Sequence, residues 1–268
     1  QRAIKDNYGF GTIYFKEQIF TTNKYVIPFL EKHMLINSNT RILEIGCGEG
    51  GNLEPFLKQD CQVIGVDLSE GKIKKGRAYF ETHEKKDNIQ FLYRDIYEVS
   101  VDEIGTFDLI IMRDVIEHIH NQEKFMGYLK KFVSKSGKIF FGFPPWQMPF
   151  GGHQQICQNK IAAKLPYYHL FPGPIYTGML KFFGEPANRI EALLEIKDTG
   201  ISIERFEKIL KDENYKVDEK MPFLINPNYE AKFNLTPRKQ FSVISAIPYF
   251  RNFLTTCCYY LVSIPDIQ

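Results

Sequence analysis

From Arg41 to Phe143 the chain alternates short apolar runs with amphipathic stretches, and few folds tolerate that rhythm. The apolar runs are Arg41–Ile45, Gln62–Val66, Ile89–Tyr93, Phe107–Met112 and Lys138–Phe143. Helical patterns lie between them at about Asn52–Gln59, Ser69–Thr82 and Gln122–Val133. Near-continuous apolar strands separated by helices predict a parallel sheet buried on both faces. Upstream, Tyr14–Met34 reads as one or two helices broken near Pro28. Pro144 to Gly184 is rich in Pro, Gly and aromatics with weak periodicity, and reads as an insertion on the substrate side after the fifth strand. Ile203–Leu210 is helical again with Ser202 as N-cap. Two strand-like runs follow, Lys216–Leu224 and Thr256–Ser263, with irregular chain from Asn226 to Phe250 between them.

The segment Leu43-Glu44-Ile45-Gly46-Cys47-Gly48-Glu49-Gly50-Gly51 follows the first strand. Glycines there allow a tight turn and close approach of a ligand to the main chain. The second strand ends in Gly65-Val66-Asp67, where an acid can accept both hydroxyls of a ribose. The glycines satisfy both G-x-G-x-x-G and G-x-G-x-G, so a nicotinamide dinucleotide and another nucleotide both fit the spacing. Glu44 favours a ligand carrying a sulfonium and an ammonium over one carrying a pyrophosphate.

Four matches in order make the chain resemble the class I S-adenosylmethionine-dependent methyltransferases over about Tyr14 to Phe143. They are the loop beginning Glu44-Ile-Gly-Cys-Gly-Glu-Gly; Asp67-Leu68-Ser69; Arg94-Asp95-Ile96; and Phe107-Asp108-Leu109-Ile110-Ile111-Met112-Arg113-Asp114-Val115-Ile116-Glu117-His118. The last is similar to the fourth-strand motif of quinone-biosynthesis O-methyltransferases. The resemblance implies a Rossmann-like α/β fold, with a seven-stranded, mostly parallel sheet in the order 3-2-1-4-5-7-6 and helices on both faces. It also implies S-adenosylmethionine as cofactor and S-adenosylhomocysteine as product. By the same resemblance Gly46, Cys47 and Gly48 line the methionine end, and Glu44 counts among the cofactor-binding residues. Asp67 holds the ribose, Leu68 packs on the adenine, and Asp95 and Ile96 frame its edge. Arg113 passes the cofactor with its main chain, and Tyr14 covers the methionine end. A plain helix cap is the lesser alternative for Asp95, and Glu117 with His118 fits either a salt link at a helix end or contact with substrate.

Methyl transfer from a sulfonium is an in-line displacement, so the protein mainly positions the acceptor and excludes water. A base is needed only where the acceptor must lose a proton. His153 and His169 are the candidates for that role, and Trp146, Phe150, Tyr168 and Tyr176 for the acceptor wall; the aromatics also fit a small core of the insertion itself. Phe143-Pro144-Pro145-Trp146 mimics a nucleic-acid amino-methyltransferase signature, but begins with Phe and follows the fifth strand rather than the fourth.

Composition narrows the partners. A net charge of +2 and the absence of a long Lys/Arg tract argue against nucleic acid. No run nears the roughly 20 apolar residues of a membrane span. The five cysteines, Cys47, Cys61, Cys157, Cys257 and Cys258, form no C-x-x-C, which fits a reducing cytoplasm. His118-Ile119-His120 with distant histidines makes no metal-ligand spacing, so no metal is expected. The expectation is a single domain. It divides into N-terminal helices (1–40), a nucleotide-binding core (41–143), an insertion or lid (144–200) and a C-terminal helix with a strand pair (201–268). Such a chain methylates a small-molecule acceptor and could pair as a homodimer. An NAD-dependent oxidoreductase and a catalytically inactive cofactor-binding protein are the rivals.

Overall fold

The computed structural model describes residues 13–265. Its sheet is built on β1 (Arg41–Ile45), β2 (Gln62–Asp67), β3 (Ile89–Tyr93), β4 (Phe107–Arg113) and β5 (Val133–Phe143), all parallel. β6 (Lys216–Ile225), β7 (Arg238–Lys239) and β8 (Cys257–Ser263) complete it in the order β3-β2-β1-β4-β5-β8-β6-β7. β8 runs antiparallel between β5 and β6. The expected order is therefore present, with one correction. The sheet has eight strands, because Arg238–Lys239 adds a two-residue edge to β6. So short a piece leaves no periodicity to read.

Strands buried on both faces need two cores, and one lies on each face of this sheet. One packs α6 (Gln122–Leu129) and α9 (Ile203–Asp212), through Phe125, Met126, Leu129, Phe206, Ile209 and Leu210, on Leu43, Ile110, Met112 and Phe141. The other packs α1 (Ile13–Thr21), α2 (Ile27–Leu30), α3 (Glu54–Leu57) and α4 (Glu70–Phe80) on Ile42, Leu109, Ile111 and Phe140. Alternate β4 residues feed alternate cores, the period of 2 expected of a strand. Ser69 caps α4 and Ser202 caps α9, their side chains accepting from Lys72 and Arg205 amides.

Pro28 does not break the first helix. It sits in the first turn of α2, where a missing N–H costs nothing. The adjustment falls upstream, in a π-helical segment at Thr22–Val26. α3 is shorter than the expected Asn52–Gln59, because the chain up to Leu53 is spent on turns closing the glycine loop. α6 ends before the expected Val133, and that residue already begins β5.

The insertion is more helical than its sequence suggests. It holds three short 3-10 turns, α7 (Gly173–Phe182) and α8 (Ala187–Thr199). Cys157, Ala162, Tyr168, Tyr176, Leu180, Ile190 and Leu193 make a third core there. Among the described residues no helix is long and apolar enough to cross a membrane.

Candidate active site

The glycine loop is held by its own backbone. The amides of Gly46 and Cys47 both donate to the Val66 carbonyl, at 2.8 and 3.1 Å, which clamps the loop to the end of β2. Gly46 has φ +72°, and a Cβ there would lie 2.5 Å from Val115 Cγ2. Only glycine fits both the left-handed backbone and the close approach.

Asp67 is fixed by two amides. Gly48 N–H donates to Oδ2 and Ser69 N–H to Oδ1, each at 2.7 Å. The carboxylate is thus oriented before any ligand arrives, with lone pairs left over. It lines a cleft of about 360 Å³ with Ile45, Gly46, Leu68, Asp95, Ile96 and His118. Leu68 is 69% exposed, an apolar side chain standing free on the cleft wall. Asp95 caps the next turn through the Tyr97 amide at 2.9 Å and borders the cleft as well, so the cap and the cleft wall coincide in one residue. The cleft lies beyond the carboxyl ends of the parallel strands, where open α/β sheets bind ligands. Among the described residues it is also walled by Tyr97, Val115, Ile119, His120 and Phe125; of these the sequence marked Val115 only as part of the fourth-strand motif and His120 only as an unpersuasive metal ligand, and none as a cofactor contact.

Several expected residues lie elsewhere. Cys47 is fully buried beneath the loop, and a Cβ on Gly65 would meet its Sγ at 2.7 Å. Glu44 is 1% exposed and does not border the cleft. Asn52 Nδ2 donates to its Oε1 at 2.6 Å, and Oε2 has no partner. Burial pushes its carboxyl up to about 8 despite that bond and the nearby Arg113. Arg113 turns its side chain away from the cleft. Its guanidinium donates to Asn52 Oδ1 at 2.9 Å and reaches Thr22 Oγ1 at 3.4 Å and Asn228 Oδ1 at 3.5 Å. Asn52, Thr22 and Asn228 escaped the sequence reading; only the position of Asn52, directly after the glycines, hinted at a role. Tyr14, on the first turn of α1, keeps part of its surface open. Burial of its hydroxyl and the fields of Asp114, Glu44 and Glu117 push that phenol well above its ordinary range, so it stays protonated.

Past the end of β4 lies a second group. Asp114 adopts φ +56°, and its amide bonds the Gly142 carbonyl at 2.7 Å. Glu117 is 4% exposed, and neither carboxylate oxygen meets a partner beyond the reach of its own amide. Burial, then the neighbouring Asp114, raises its carboxyl well above the usual range. His118 stands edge-on to His153 with ring centroids 4.9 Å apart. His153 itself holds a left-handed φ of +52°. His153 is half-buried and His118 keeps open surface; loss of water around the ring nitrogens, and then a neighbouring histidine, lowers both imidazoles, His118 to about 4, so both are neutral at pH 7. Donor atoms of Glu117, His118 and His153 all lie within 4.8 Å of one another. The sequence expectation of no metal set rested on spacing along the chain, and the fold brings these three together from either side of β5.

The other candidates of the insertion divide. Trp146 is half-buried, packs edge-on against His169 at 4.7 Å and carries Lys197 over its ring. Phe150 is half-buried nearby in sequence. His169 is fully buried, with Nε2 at 2.8 Å from the Trp146 carbonyl and Nδ1 at 3.3 Å from Gln154 Nε2. With both nitrogens occupied it braces the insertion. Tyr168 and Tyr176 are core residues of the insertion, their rings 5.3 Å apart.

A family model described as a methyltransferase domain matches residues 15–157, just over half of the chain. The chain belongs to the methyltransferase-domain family. It is 36% identical over 101 residues to a ubiquinone biosynthesis O-methyltransferase of Rhizobium etli, covering 37% of this chain and 39% of that protein. The same enzyme of Agrobacterium fabrum is 33% identical over an equal span. The match thus spans about two fifths of the length of these curated relatives. Among solved structures, the geranyl diphosphate C-methyltransferase of Streptomyces coelicolor A3(2), in complex with Mg2+, geranyl diphosphate and S-adenosyl-L-homocysteine, superposes with a TM-score of 0.58 at 13% identity. That superposition covers 99% of this chain and 90% of that one. The plantazolicin methyltransferase BpumL, in complex with a monoazolic desmethylPZN analog and SAH, gives 0.52 at 12% identity, covering 93% and 82%. At such identities the superpositions establish the shared fold.

Proposed function

We propose that this methyltransferase-family chain moves the methyl group of S-adenosylmethionine to a small-molecule acceptor by in-line displacement, leaving S-adenosylhomocysteine. The observation that carries the reading is Asp67, held by two loop amides at the mouth of a cleft that also presents Leu68, Asp95 and Ile96. In this reading Asp67 accepts the ribose hydroxyls, Leu68 lies on the adenine face, and Asp95 and Ile96 meet its edge. Gly46 and Gly48 pass the methionine end, and Tyr14 covers it. Glu44 acts from below, its charge facing the sulfonium and ammonium once ionised. Relatives that carry ubiquinone-biosynthesis and small-molecule methyltransferase names support the acceptor class.

The acceptor enters from the side of His118, His153, Trp146 and Phe150. His153 is neutral, crowded beside His118, and able to take a proton from an acceptor hydroxyl. The insertion at 144–200 closes this side as a lid of a single-domain enzyme. The chain works in the cytoplasm, without nucleic acid or membrane. The same surface could join two copies.

Calorimetric titration with S-adenosylhomocysteine, with NAD in parallel, tests the reading. Micromolar binding of the first and none of the second is expected. Binding of NAD alone makes the glycine loop a dinucleotide site and overturns it. Binding of S-adenosylhomocysteine without turnover of any hydroxyl, amine or thiol acceptor favours the inactive binding protein.

A further inference from the structure

We propose that Lys72, in the first turn of α4, pairs through its ammonium with the carboxylate at the methionine end of the cofactor. The pair rests on the methyl-transfer reading. S-adenosylmethionine carries three charges at that end, a sulfonium, an ammonium and a carboxylate. In that reading Asp67 meets the ribose and Glu44 faces the two cations, which leaves the anion without a partner.

Position singles out Lys72. Its main-chain amide bonds the Ser69 cap, and its stem runs back over the glycine loop. The atom nearest to where a Gly48 Cβ would stand is Lys72 Cδ, at 3.7 Å. Gly48 is also the residue whose amide orients Asp67, so Lys72 lies over the junction of the ribose and methionine ends. Its charge is felt around that junction. Burial, then Glu44 and Asp67, push up the Cys47 thiol beneath the loop, and Lys72 draws it back. Burial and then His153 lower the His118 imidazole on the cleft wall, and Lys72 adds to that in the last place.

A cation in this place costs the helix. The first turn of α4 presents unpaired amides and the positive end of the helix dipole, which favour an acid such as Glu70 and disfavour an ammonium. Among the described residues no acid stands within ion-pair distance of Lys72 to offset that. The neighbouring cations are settled. Lys75 pairs with Glu49 at 3.6 Å and Arg94 with Glu103 at 2.7 Å. Arg113 is committed to Asn52, Thr22 and Asn228. An unpaired ammonium at the wrong end of its helix, leaning on the loop that meets the ligand, is accounted for by an anion that arrives with the ligand. No bond forms or breaks at Lys72. Holding the carboxylate fixes the methionine chain, and with it the direction of the sulfonium methyl.

Calorimetric titration of the full chain with S-adenosylhomocysteine and with 5′-methylthioadenosine tests the proposal. The second ligand keeps the nucleoside and the thioether and lacks the amino-acid end. Lys72→Met should weaken S-adenosylhomocysteine binding about 5- to 20-fold, between the worth of an exposed ion pair and that of a charge-assisted hydrogen bond. It should leave 5′-methylthioadenosine within about twofold of wild type, and the loss for the first ligand should shrink as salt is raised. Lys72→Arg, which keeps the charge, should recover most of the affinity, and Lys74→Met, an exposed cation of the same helix, should change neither ligand. Lys72→Met should melt no lower than wild type, because it removes a cation from the positive end of α4. Equal S-adenosylhomocysteine affinity in wild type and Lys72→Met overturns the pair, as does an equal loss for both ligands. A wild-type chain that binds neither ligand removes the methyl-transfer reading itself; one that binds S-adenosylhomocysteine with no change in Lys72→Met removes the pair alone.

Discussion

The two sides of the cleft meet their polar obligations differently. On the glycine-loop side the charge that faces the ligand is satisfied: Asp67 has an amide on each oxygen, and Asp95 caps a turn. On the side beyond β4, Glu117 is buried with neither carboxylate oxygen partnered, the half-buried Asp114 is close enough to act on it, and the half-buried His153 stands ring against ring with the exposed His118. On the first side the acids that border the cleft are both partnered, and only the buried Glu44 keeps an unpartnered oxygen. On the second side neither oxygen of the buried Glu117 is partnered, and under the proposed function the difference divides the side that holds the constant cofactor from the side that meets the variable acceptor.

The sharpest way to break this contrast is to remove one acid from each side. Asp67→Ala should weaken S-adenosylhomocysteine binding about 10- to 100-fold, the loss of charge-assisted bonds worth roughly 1.5–3 kcal/mol. It also orphans the Gly48 and Ser69 amides, so its melting temperature should drop. Glu117→Gln should melt close to wild type, because burial already favours the neutral acid and the exchange swaps one unpartnered buried polar group for another of like shape. Calorimetry and thermal melts read both. A Glu117→Gln variant as destabilised as Asp67→Ala would erase the distinction.

A second comparison uses turnover. His153→Gln should leave S-adenosylhomocysteine affinity within about twofold while slowing methyl transfer 10-fold or more, the low end for loss of a proton-transfer group. Equal losses in binding and rate would place His153 on the cofactor side instead.

How far the sequence foretold these two sides follows from the reach of its signals. The cofactor side lies in short loops directly after β1, β2 and β3, where glycines and acids are read in place, and Asp67 stood out for that reason. The first five strands were legible because buried parallel strands are continuous apolar runs, while their order in the sheet came only from the family resemblance. The acceptor side joins Glu117 and His118 to His153 across the whole of β5, and no local pattern announces such a meeting. Arg113 was expected to offer its backbone, and only the alternation of β4 faces reveals that its side chain enters the opposite core. His169 carried the right chemistry, but only three dimensions show both its nitrogens occupied. The helices α7 and α8 escaped notice because their apolar residues, Tyr176 and Leu180 in one and Ile190 and Leu193 in the other, pack within the insertion and not on the sheet.

A smaller effect concerns pH. The Glu44 carboxyl is raised in the folded chain to about 8 from an ordinary value near 4.5. The folded state therefore holds a proton that the unfolded state has released over that window. Its stabilising share is full below about pH 4.5 and is lost as pH rises toward 8. Glu44→Gln should flatten this decline in melting temperature between pH 5 and 8.5. A cation above Glu44 favours its ionised form, so the sulfonium S-adenosylmethionine should gain affinity with pH more steeply than S-adenosylhomocysteine. Parallel pH profiles for the two ligands would place Glu44 out of electrostatic reach of the sulfur.

Asn52 donates to Glu44 and accepts from Arg113 and from the Thr22 hydroxyl, while Asn228 lies within reach of both Arg113 and Thr21. Residues 22, 44, 52, 113 and 228 are scattered along the chain, yet one amide can point only one way and satisfies all its neighbours together. An exchange at any of them alone strands a donor or an acceptor in the interior. Across related chains these five positions should accordingly be inherited as a block, changing in concert or not at all.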